Sequence, residues 1–182
     1  MHYCIHLFTE KLPNEAQIEE IMTNYGDVFL AWFDVPMTIN AEQSRRIYDT
    51  VKRLQPNCLI NSRLGNGAYD YVSLGDNEIP ASREAWEALS KVDPDTIDYQ
   101  NICGFKPSKY GLYESACTLN HSWGFSYRDH RWVDPAALAS NRARLNDLGI
   151  NYLVNVGPDG LGRIPGPSID ILRRAAELFS KT

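Results

Sequence analysis

The sequence predicts a parallel α/β fold, and three observations support this prediction. Helix and strand signals alternate along the chain, the strand signals are short and apolar on both faces, and the helices carry one apolar face each. Strands buried on both faces are typical of parallel sheets covered by helices. The 182 residues are enough for one domain with a sizeable core and too few for two comfortable ones.

The first third of the chain contains two helix–strand pairs. Residues 14–26 predict a helix that ends at Gly26, and residues 28–33, "VFLAWF", predict a strand buried on both faces. Residues 40–56 predict a second amphipathic helix, and residues 58–63, "CLINSR", the next buried strand. The apolar face of the first helix is expected to include Ala16, Ile18, Ile21 and Met22.

The alternation continues near the end of the chain. Residues 112–119 predict a strand, and residues 134–149 predict a helix with a proline near its first turn and a glycine at its close. A strand over 150–157 and a final helix over 166–182 follow. Residues 64–127 interrupt this rhythm with long loops around the one strand candidate.

Composition and charge exclude several classes of protein. The net charge is -5 and no basic cluster is present, which argues against a nucleic-acid partner. The longest apolar runs are far shorter than the ~20 residues of a membrane-spanning helix. Four separated cysteines form no CxxC pair, so neither a zinc cluster nor a disulfide framework is indicated. Cys58 and Cys117 are expected to be buried thiols. The compartment stays open, with the cytoplasm slightly favoured over secretion or the periplasm.

Chemically useful side chains follow the predicted strands. Asp34 follows strand 28–33, Arg63 follows the next strand, and His121 and Trp123 follow strand 112–119. In parallel α/β folds these positions meet at one rim, where ligands bind. Each residue also has an ordinary structural interpretation: an aspartate that forms a turn, an arginine in a surface ion pair, a tryptophan in the core. The Gly-rich residues 157–166 lack phosphate-loop spacing and predict a turn.

Paired carboxylates in such a rim are suited to hydrolysis of a glycosidic bond. One carboxylate attacks or stabilises the sugar carbon while the other protonates the departing oxygen. Trp32 and Trp123 could stack on a sugar ring, and Arg63 could hold a carboxylate in its ionised form.

Six stretches in this order resemble the α-L-fucosidases of glycoside hydrolase family 29. They are "MTNYG" (22–26), "AWFDVPMTI" (31–39), "LINSRLGNG" (59–67), "YDYVSLGDNEIP" (69–80), "ESACTLNHSWGF" (114–125) and "NYLVNVGPDGLGRIP" (151–165). The resemblance implies an incomplete (β/α)₈ TIM-barrel catalytic domain over 1–182, about four to five βα units of the C-terminal half. The N-terminal half and the C-terminal β-sandwich of relatives are expected to lie outside it.

The resemblance also implies roles for individual residues. Asp34 matches the nucleophile of a retaining double displacement, and Trp32 and Arg63 match positions that line the fucose pocket. Glu78 is the first candidate for the acid/base, with Asp76 and Glu114 as alternatives. Substrate-binding residues implied in this way are Trp32, Arg63, Glu114 and Trp123. No metal or organic cofactor is needed.

The implied substrate is a fucosylated glycan or a small fucoside, with no nucleic-acid or membrane partner. Self-association, or pairing with the absent half-barrel, is also expected, because half a barrel exposes strand edges. One alternative is a non-catalytic fragment that binds carbohydrate or serves a structural purpose. Another is an unrelated flavodoxin-like domain, although "VPMTIN" (35–40) is not the phosphate loop that it would need after its first strand.

Overall fold

The computed structural model describes residues 4–8, 15–34, 39–82, 84–85, 108 and 110–179. The chain divides into two compact units. The first unit comprises Met1–Ser73 and Glu84–Tyr113, and the second comprises Leu74–Arg83 and Glu114–Thr182.

The first unit contains a parallel sheet of three strands in the order β1-β2-β3. These strands are β1 (Cys4–Phe8), β2 (Leu30–Asp34) and β3 (Leu59–Ile60). β1 pairs with β2 along its whole length, whereas β3 pairs only with the first two residues of β2. After β3 the chain turns into a 3₁₀ helix, Ser62–Leu64, and a short strand β4 (Val72–Ser73) follows.

Two helices of the first unit connect these strands, α1 (Glu15–Asn24) and α2 (Ala41–Leu54). Asn40 caps the start of α2: its side chain accepts a hydrogen bond from the Gln43 N–H, and the Gln43 side chain accepts one from the Asn40 N–H. This reciprocal capping satisfies two N–H groups that a helix start leaves unpaired. The sequence therefore fixes where α2 begins.

The core of the first unit lies between the sheet and these helices. β2 contributes Phe33, which is fully buried, and the helices contribute Ile18, Met22, Ile47 and Val51. Within each helix the two residues are four positions apart, which places them on one helix face. Burial of a large apolar side chain contributes roughly 1.5–3 kcal/mol, so this cluster holds β2 firmly in place.

A buried carboxylate, Asp70, links two elements of the first unit. It accepts hydrogen bonds from the Tyr48 hydroxyl at 2.7 Å and the Ile60 N–H at 3.0 Å, and its other close partner is the Lys52 ammonium at 2.6 Å. Burial, then the hydrogen bond to Asp70, raises the pKa of Tyr48 well above its ordinary value. Asp70 thus joins α2 to β3 through groups that sequence patterns did not single out.

The second unit contains two parallel strands in register, β5 (Tyr113–Thr118) and β6 (Asn151–Asn155). Its helices are α3 (Pro135–Asp147) and α4 (Gly166–Phe179). The Asp134 side chain caps α3 by accepting from the N–H groups of Ala136 and Ala137. The core of this unit includes Leu119, Leu138, Ile171 and Ala175.

The prediction of a parallel α/β fold is confirmed, with corrections to individual elements. β1 and β4 were not predicted, because His6 interrupts the apolar pattern of β1 and β4 has only two residues. The strand predicted over 58–63 ends at Ile60, because the chain forms the 3₁₀ helix Ser62–Leu64 shortly after it. Ala16 is exposed, so the apolar face of α1 is narrower than predicted.

Cys58 and Cys117 are buried free thiols, as predicted. Burial raises the pKa of both thiols, that of Cys58 to about 11. Cys103 lies outside the described residues. Within the described part of the chain, no helix combines the length and apolar character needed to cross a membrane.

Candidate active site

Trp32 and Asp34 lie on the same face of β2, because side chains two residues apart on a strand point to the same side. Phe33, between them, points to the opposite side and packs in the core. Trp32 is buried, and the side chain of Asp34 is 16% exposed at the carboxyl end of the strand. The core therefore anchors β2 on one face, while the other face presents an indole and a carboxylate.

Arg63 contacts both of these side chains. Its Nη1 lies 3.3 Å from Asp34 Oδ1, and its guanidinium carbon lies 4.7 Å from the centre of the Trp32 ring. The Arg63 side chain is only 9% exposed, so solvent screens the ion pair less than it would at the surface. A guanidinium at this distance favours the ionised carboxylate, the form that can act as a nucleophile.

Asn61 holds the backbone next to Asp34. Its Nδ2 donates to the Phe33 carbonyl and its Oδ1 accepts from the Phe33 N–H, each at 2.8 Å. Sequence analysis did not identify this residue. Its only signal is an amide inserted between the apolar "LI" of β3 and Arg63.

In the second unit, the loop that carries Asp76 and Glu78 lies along β5. The Asn77 N–H donates to the Ala116 carbonyl at 2.9 Å, and the Asn77 side-chain oxygen accepts from the Thr118 N–H at 3.0 Å. Asn77 has a positive φ of 56°, which is uncommon for a residue other than glycine. The loop is thus fixed to the strand at the residue between the two acids.

Glu78 is half-buried and bound at both its backbone and its side chain. Its Oε2 accepts from the Gly75 N–H at 2.8 Å, and its carbonyl accepts from the Ser115 hydroxyl. Asp76 is exposed, and Glu114 is buried at the start of β5, where its carbonyl accepts from the Leu74 N–H. The three acid/base candidates therefore differ in exposure.

The segment after β5 is organised around the carboxylate of Asp129. Its Oδ2 accepts from Asn120 Nδ2 at 3.0 Å and from the Ser122 N–H at 2.7 Å, and its Oδ1 accepts from the Arg131 N–H at 3.1 Å. Burial raises the pKa of Asp129, but these hydrogen bonds outweigh it and bring the pKa down to about 2. The carboxylate therefore stays charged and shapes the loop.

Trp123 is half-buried in the same segment, and its carbonyl accepts from Asn155 Nδ2 of β6 at 2.6 Å. The following residue, Gly124, approaches Gly157 so closely that a Cβ on Gly157 would lie 2.5 Å from the Gly124 carbonyl carbon. Two of the stretches noted in the sequence, "HSWGF" and "NVGPDG", thus meet backbone to backbone. The turn predicted over 157–166 is also observed, closed by bonds between Asp159 and Arg163.

The structure thus brings Trp32, Asp34 and Arg63 together at the end of β2 in the first unit. The remaining predicted site residues, Glu78, Glu114 and Trp123, lie in the second unit with the contacts given above. Among the described residues, no cluster of three or more His, Cys, Asp or Glu side chains is placed to bind a metal ion. Fold and site together define a parallel α/β protein with polar groups at the carboxyl ends of its strands.

Comparisons with known proteins identify the family. The family model for alpha-L-fucosidase matches residues 7–181. The solved structure of alpha-L-fucosidase AlfC from Lactobacillus casei in complex with alpha-L-fucose is 53% identical with a TM-score of 0.72, over 92% of this chain and 44% of that one. Alpha-L-fucosidase isoenzyme 1 from Paenibacillus thiaminolyticus is 26% identical with a TM-score of 0.64, over 90% of this chain and 37% of that one. A comparison with curated proteins found no match.

The chain therefore belongs to the alpha-L-fucosidase family. It spans less than half the length of the solved relatives that it matches.

Proposed function

We propose that this chain forms part of the catalytic barrel of a retaining α-L-fucosidase, with Asp34 as the nucleophile. The observation that carries the proposal is the group at the end of β2, where Arg63 lies against both the Asp34 carboxylate and the Trp32 ring. The guanidinium is placed to pair with the charged form of the carboxylate, and the indole provides an apolar wall for a sugar ring.

The proposed reaction has two steps. In the first, an Asp34 oxygen forms a bond to the anomeric carbon of the fucosyl unit, the bond from that carbon to the leaving oxygen breaks, and Glu78 gives its proton to that oxygen. In the second, water attacks the same carbon and gives a proton to Glu78, and the bond to Asp34 breaks to release fucose. Both carboxyl groups return to their starting states, and no cofactor is consumed.

The proposed substrate is a terminal α-L-fucosyl unit on a glycan or a small fucoside. Support comes from the relative that is 53% identical, since one variant of AlfC has been solved both with 4-nitrophenyl α-L-fucopyranoside and with Fuca(1,6)GlcNAc. We extend this substrate class to the present chain because Trp32, Asp34 and Arg63 supply an aromatic ring, a carboxylate and a guanidinium at one strand end. These are the groups that the proposed attack on a fucosyl unit requires.

The choice of Glu78 as the acid/base is also a proposal. Its bonds to Gly75 and Ser115 give it a defined position, which a proton donor needs. Asp76, on the same loop, is exposed, and Glu114 is buried on β5, so each offers a different solvent environment for the same role.

A second candidate function is carbohydrate binding without catalysis. We consider it beside catalysis because the chain spans 44% of the length of the matched AlfC structure. This candidate also includes the pairing with a complementary half-barrel that the sequence suggested.

The two candidates are distinguished by an activity assay. The purified 182-residue chain is incubated with 4-nitrophenyl α-L-fucopyranoside, alone and after mixing with the part of AlfC that this chain does not match. Release of nitrophenolate in either sample, lost on substitution of Asp34 by Asn, is the expected result. Binding of fucose without any release in both samples would replace the hydrolase proposal with the binding candidate.

A further inference from the structure

The turn that carries Arg63 is bonded to neighbouring parts of the first unit through the residues on either side of it. Ser62 precedes Arg63, and its hydroxyl oxygen accepts from the Ser73 N–H at 3.1 Å. Leu64 follows Arg63, and its carbonyl accepts from the Ser44 hydroxyl of α2 at 3.1 Å. Both bonds are buried, so each is stronger than the same bond would be in water. The backbone of Arg63 is therefore held between two fixed residues.

Ser44 is a polar residue on the buried face of α2. It is fully buried, and the other buried residues of this helix, Ile47 and Val51, are apolar. Burying a hydroxyl costs free energy unless it is hydrogen-bonded. Besides donating to Leu64, the Ser44 oxygen accepts from Asn66 Nδ2 at 2.9 Å. Packing alone would be served by an alanine at this position, so the hydroxyl is explained by the two bonds that it makes.

Asn66 joins the segment after Arg63 to the segment after Asp34. Its Nδ2 donates a second hydrogen bond, at 3.1 Å, to the carbonyl of Ile39, which lies between β2 and α2. Asn66 has a positive φ of 54°, a conformation that asparagine adopts more readily than most residues with a side chain. One amide group thus connects the segments that follow β2 and β3.

These bonds set the starting point of a long side chain. An arginine loses much rotamer freedom when its head group is fixed, so a fixed backbone is needed to place that head group accurately. Arg63 Nη1 lies 3.3 Å from Asp34 Oδ1, and its guanidinium carbon lies 4.7 Å from the centre of the Trp32 ring. Site geometry has to be held within about 0.5 Å to be productive, and the residues around a site supply that restraint.

We propose that Ser44 and Asn66 are positioning residues for Arg63, which hold its guanidinium against the Asp34 carboxylate by tying the Arg63 turn to α2. The inference rests on the proposed function only in treating Asp34 as the nucleophile. The placement of Arg63 is a structural property, so it can be measured whether or not the sample hydrolyses a fucoside.

The direct test is the side-chain Nε–H resonance of Arg63 in ¹H–¹⁵N spectra of the ¹⁵N-labelled chain, assigned by its absence in Arg63→Gln. The ring current of an indole shifts a proton above its face upfield, so this resonance reports how closely Arg63 lies over Trp32. Asn66→Asp keeps the size of the side chain but replaces the donor by an acceptor, which the Ile39 carbonyl repels. We expect this variant and Ser44→Ala to lose most of the upfield shift.

Asn57→Asp is the matched control, because it makes the same chemical change in an exposed turn before β3. It should leave the Arg63 resonance where it is in the unmodified chain. If Ser44→Ala loses the dispersed spectrum of a folded chain, Asn66→Gly takes its place, since Asn66 is exposed and glycine tolerates the positive φ.

Two spectroscopic results would overturn the inference. One is an Arg63 resonance that stays unchanged in the Asn66 variants, even if urea denaturation showed them to be less stable, because that is the outcome of a merely structural role. The other is an equal displacement of the resonance in Asn57→Asp.

Kinetics test the link to the reaction in whichever sample is active. kcat/KM for 4-nitrophenyl α-L-fucopyranoside should fall about tenfold in Asn66→Asp, the rate change that corresponds to one lost hydrogen bond, and stay constant in Asn57→Asp. Arg63→Gln should lose more activity, and adding Asn66→Asp to it should cause no further loss, because Asn66 acts through Arg63.

An additive loss in the double variant, or an unchanged kcat/KM in Asn66→Asp, would overturn the positioning role in the reaction. Absence of any turnover in the unmodified chain would count against the proposed function, and the Arg63 resonance would then decide the inference by itself.

Discussion

The carboxamide of Asn61 binds both backbone groups of Phe33, the residue before Asp34. β3 ends at Ile60, so its backbone pairs with only the first two residues of β2. The Asn61 side chain has the same donor and acceptor as a peptide group, and it takes the place of the missing strand partner. The backbone that presents Asp34 is thereby held on this side by a side chain rather than by a strand.

Replacing Asn61 by Ala should destabilise the chain by about 2–6 kcal/mol, because a buried N–H and a buried carbonyl both lose their partner at about 1–3 kcal/mol each. Urea denaturation followed by tryptophan fluorescence measures the change. Asn57→Ala, an exposed asparagine shortly before β3, is the control and should leave the midpoint unchanged. Equal midpoints for the two variants would show that the Phe33 bonds contribute nothing to stability.

The close approach of Gly157 to Gly124 predicts that a side chain at position 157 lowers the stability of the chain. A methyl group on Gly157 would meet backbone atoms at 2.5 and 2.7 Å, which no side-chain rotation can relieve. Gly157→Ala should therefore cost about 1–3 kcal/mol or more.

Gly160→Ala is the control for this prediction, because a Cβ at that position meets nothing within 4 Å. Thermal unfolding of both variants by circular dichroism provides the measurement. A melting temperature for Gly157→Ala no lower than that of Gly160→Ala would contradict the predicted clash.

The grouping of Asp34 and Arg63 could be predicted from sequence, since parallel strands bring their carboxyl ends to one edge. The role of Asn61 could not be predicted, because it depends on β3 being only two residues long. Asp70 and Asp129 were missed for a related reason. In sequence each looks like a solvated acid in a loop, and only the fold brings buried hydrogen-bond donors to it.

The lowered pKa of Asp129 implies that the stability of the chain depends on pH. Its pKa is lowered from 3.8 to about 2 in the folded chain, since the hydrogen bonds that favour its charged form outweigh the effect of burial. The group therefore contributes stability that is fully present above pH ~4 and is lost as the pH falls from about 4 towards 2. Its substitution by Asn should lower stability at neutral pH and flatten the decline in this window.

Urea midpoints for the unmodified chain and Asp129→Asn between pH 2 and pH 7 measure this contribution. Asp147→Asn, at the exposed end of α3, is the matched control. Parallel pH profiles for the unmodified chain and Asp129→Asn would show that the hydrogen bonds around Asp129 do not stabilise its charged form.

The three acid/base candidates can be distinguished by how the activity of each variant depends on the leaving group of the substrate. A 4-nitrophenolate departs without protonation, whereas a sugar alkoxide requires it. Glu78→Gln should therefore lower kcat/KM on Fuca(1,6)GlcNAc by about 10²–10⁴-fold and affect 4-nitrophenyl α-L-fucopyranoside much less. Asp76→Asn and Glu114→Gln, assayed in the same way, test the alternatives.

The selective loss of activity on the disaccharide identifies the proton donor, whichever variant shows it. If Asp76→Asn or Glu114→Gln shows it and Glu78→Gln does not, Glu78 is the wrong assignment. Uniform losses on both substrates would instead indicate a role in positioning or folding.

Asp34 gives the most direct test of the mechanism. Asp34→Asn should lower turnover by about 10³-fold or more in whichever sample is active, because an amide cannot form the covalent fucosyl intermediate. Asp34→Gly, which leaves space at the anomeric carbon, should regain activity when azide is added. The product should be a fucosyl azide of inverted configuration, detectable by nuclear magnetic resonance, because azide attacks from the side that Asp34 occupies. Retained turnover in Asp34→Asn would place the nucleophile elsewhere, and the Arg63 ion pair would then be a structural contact.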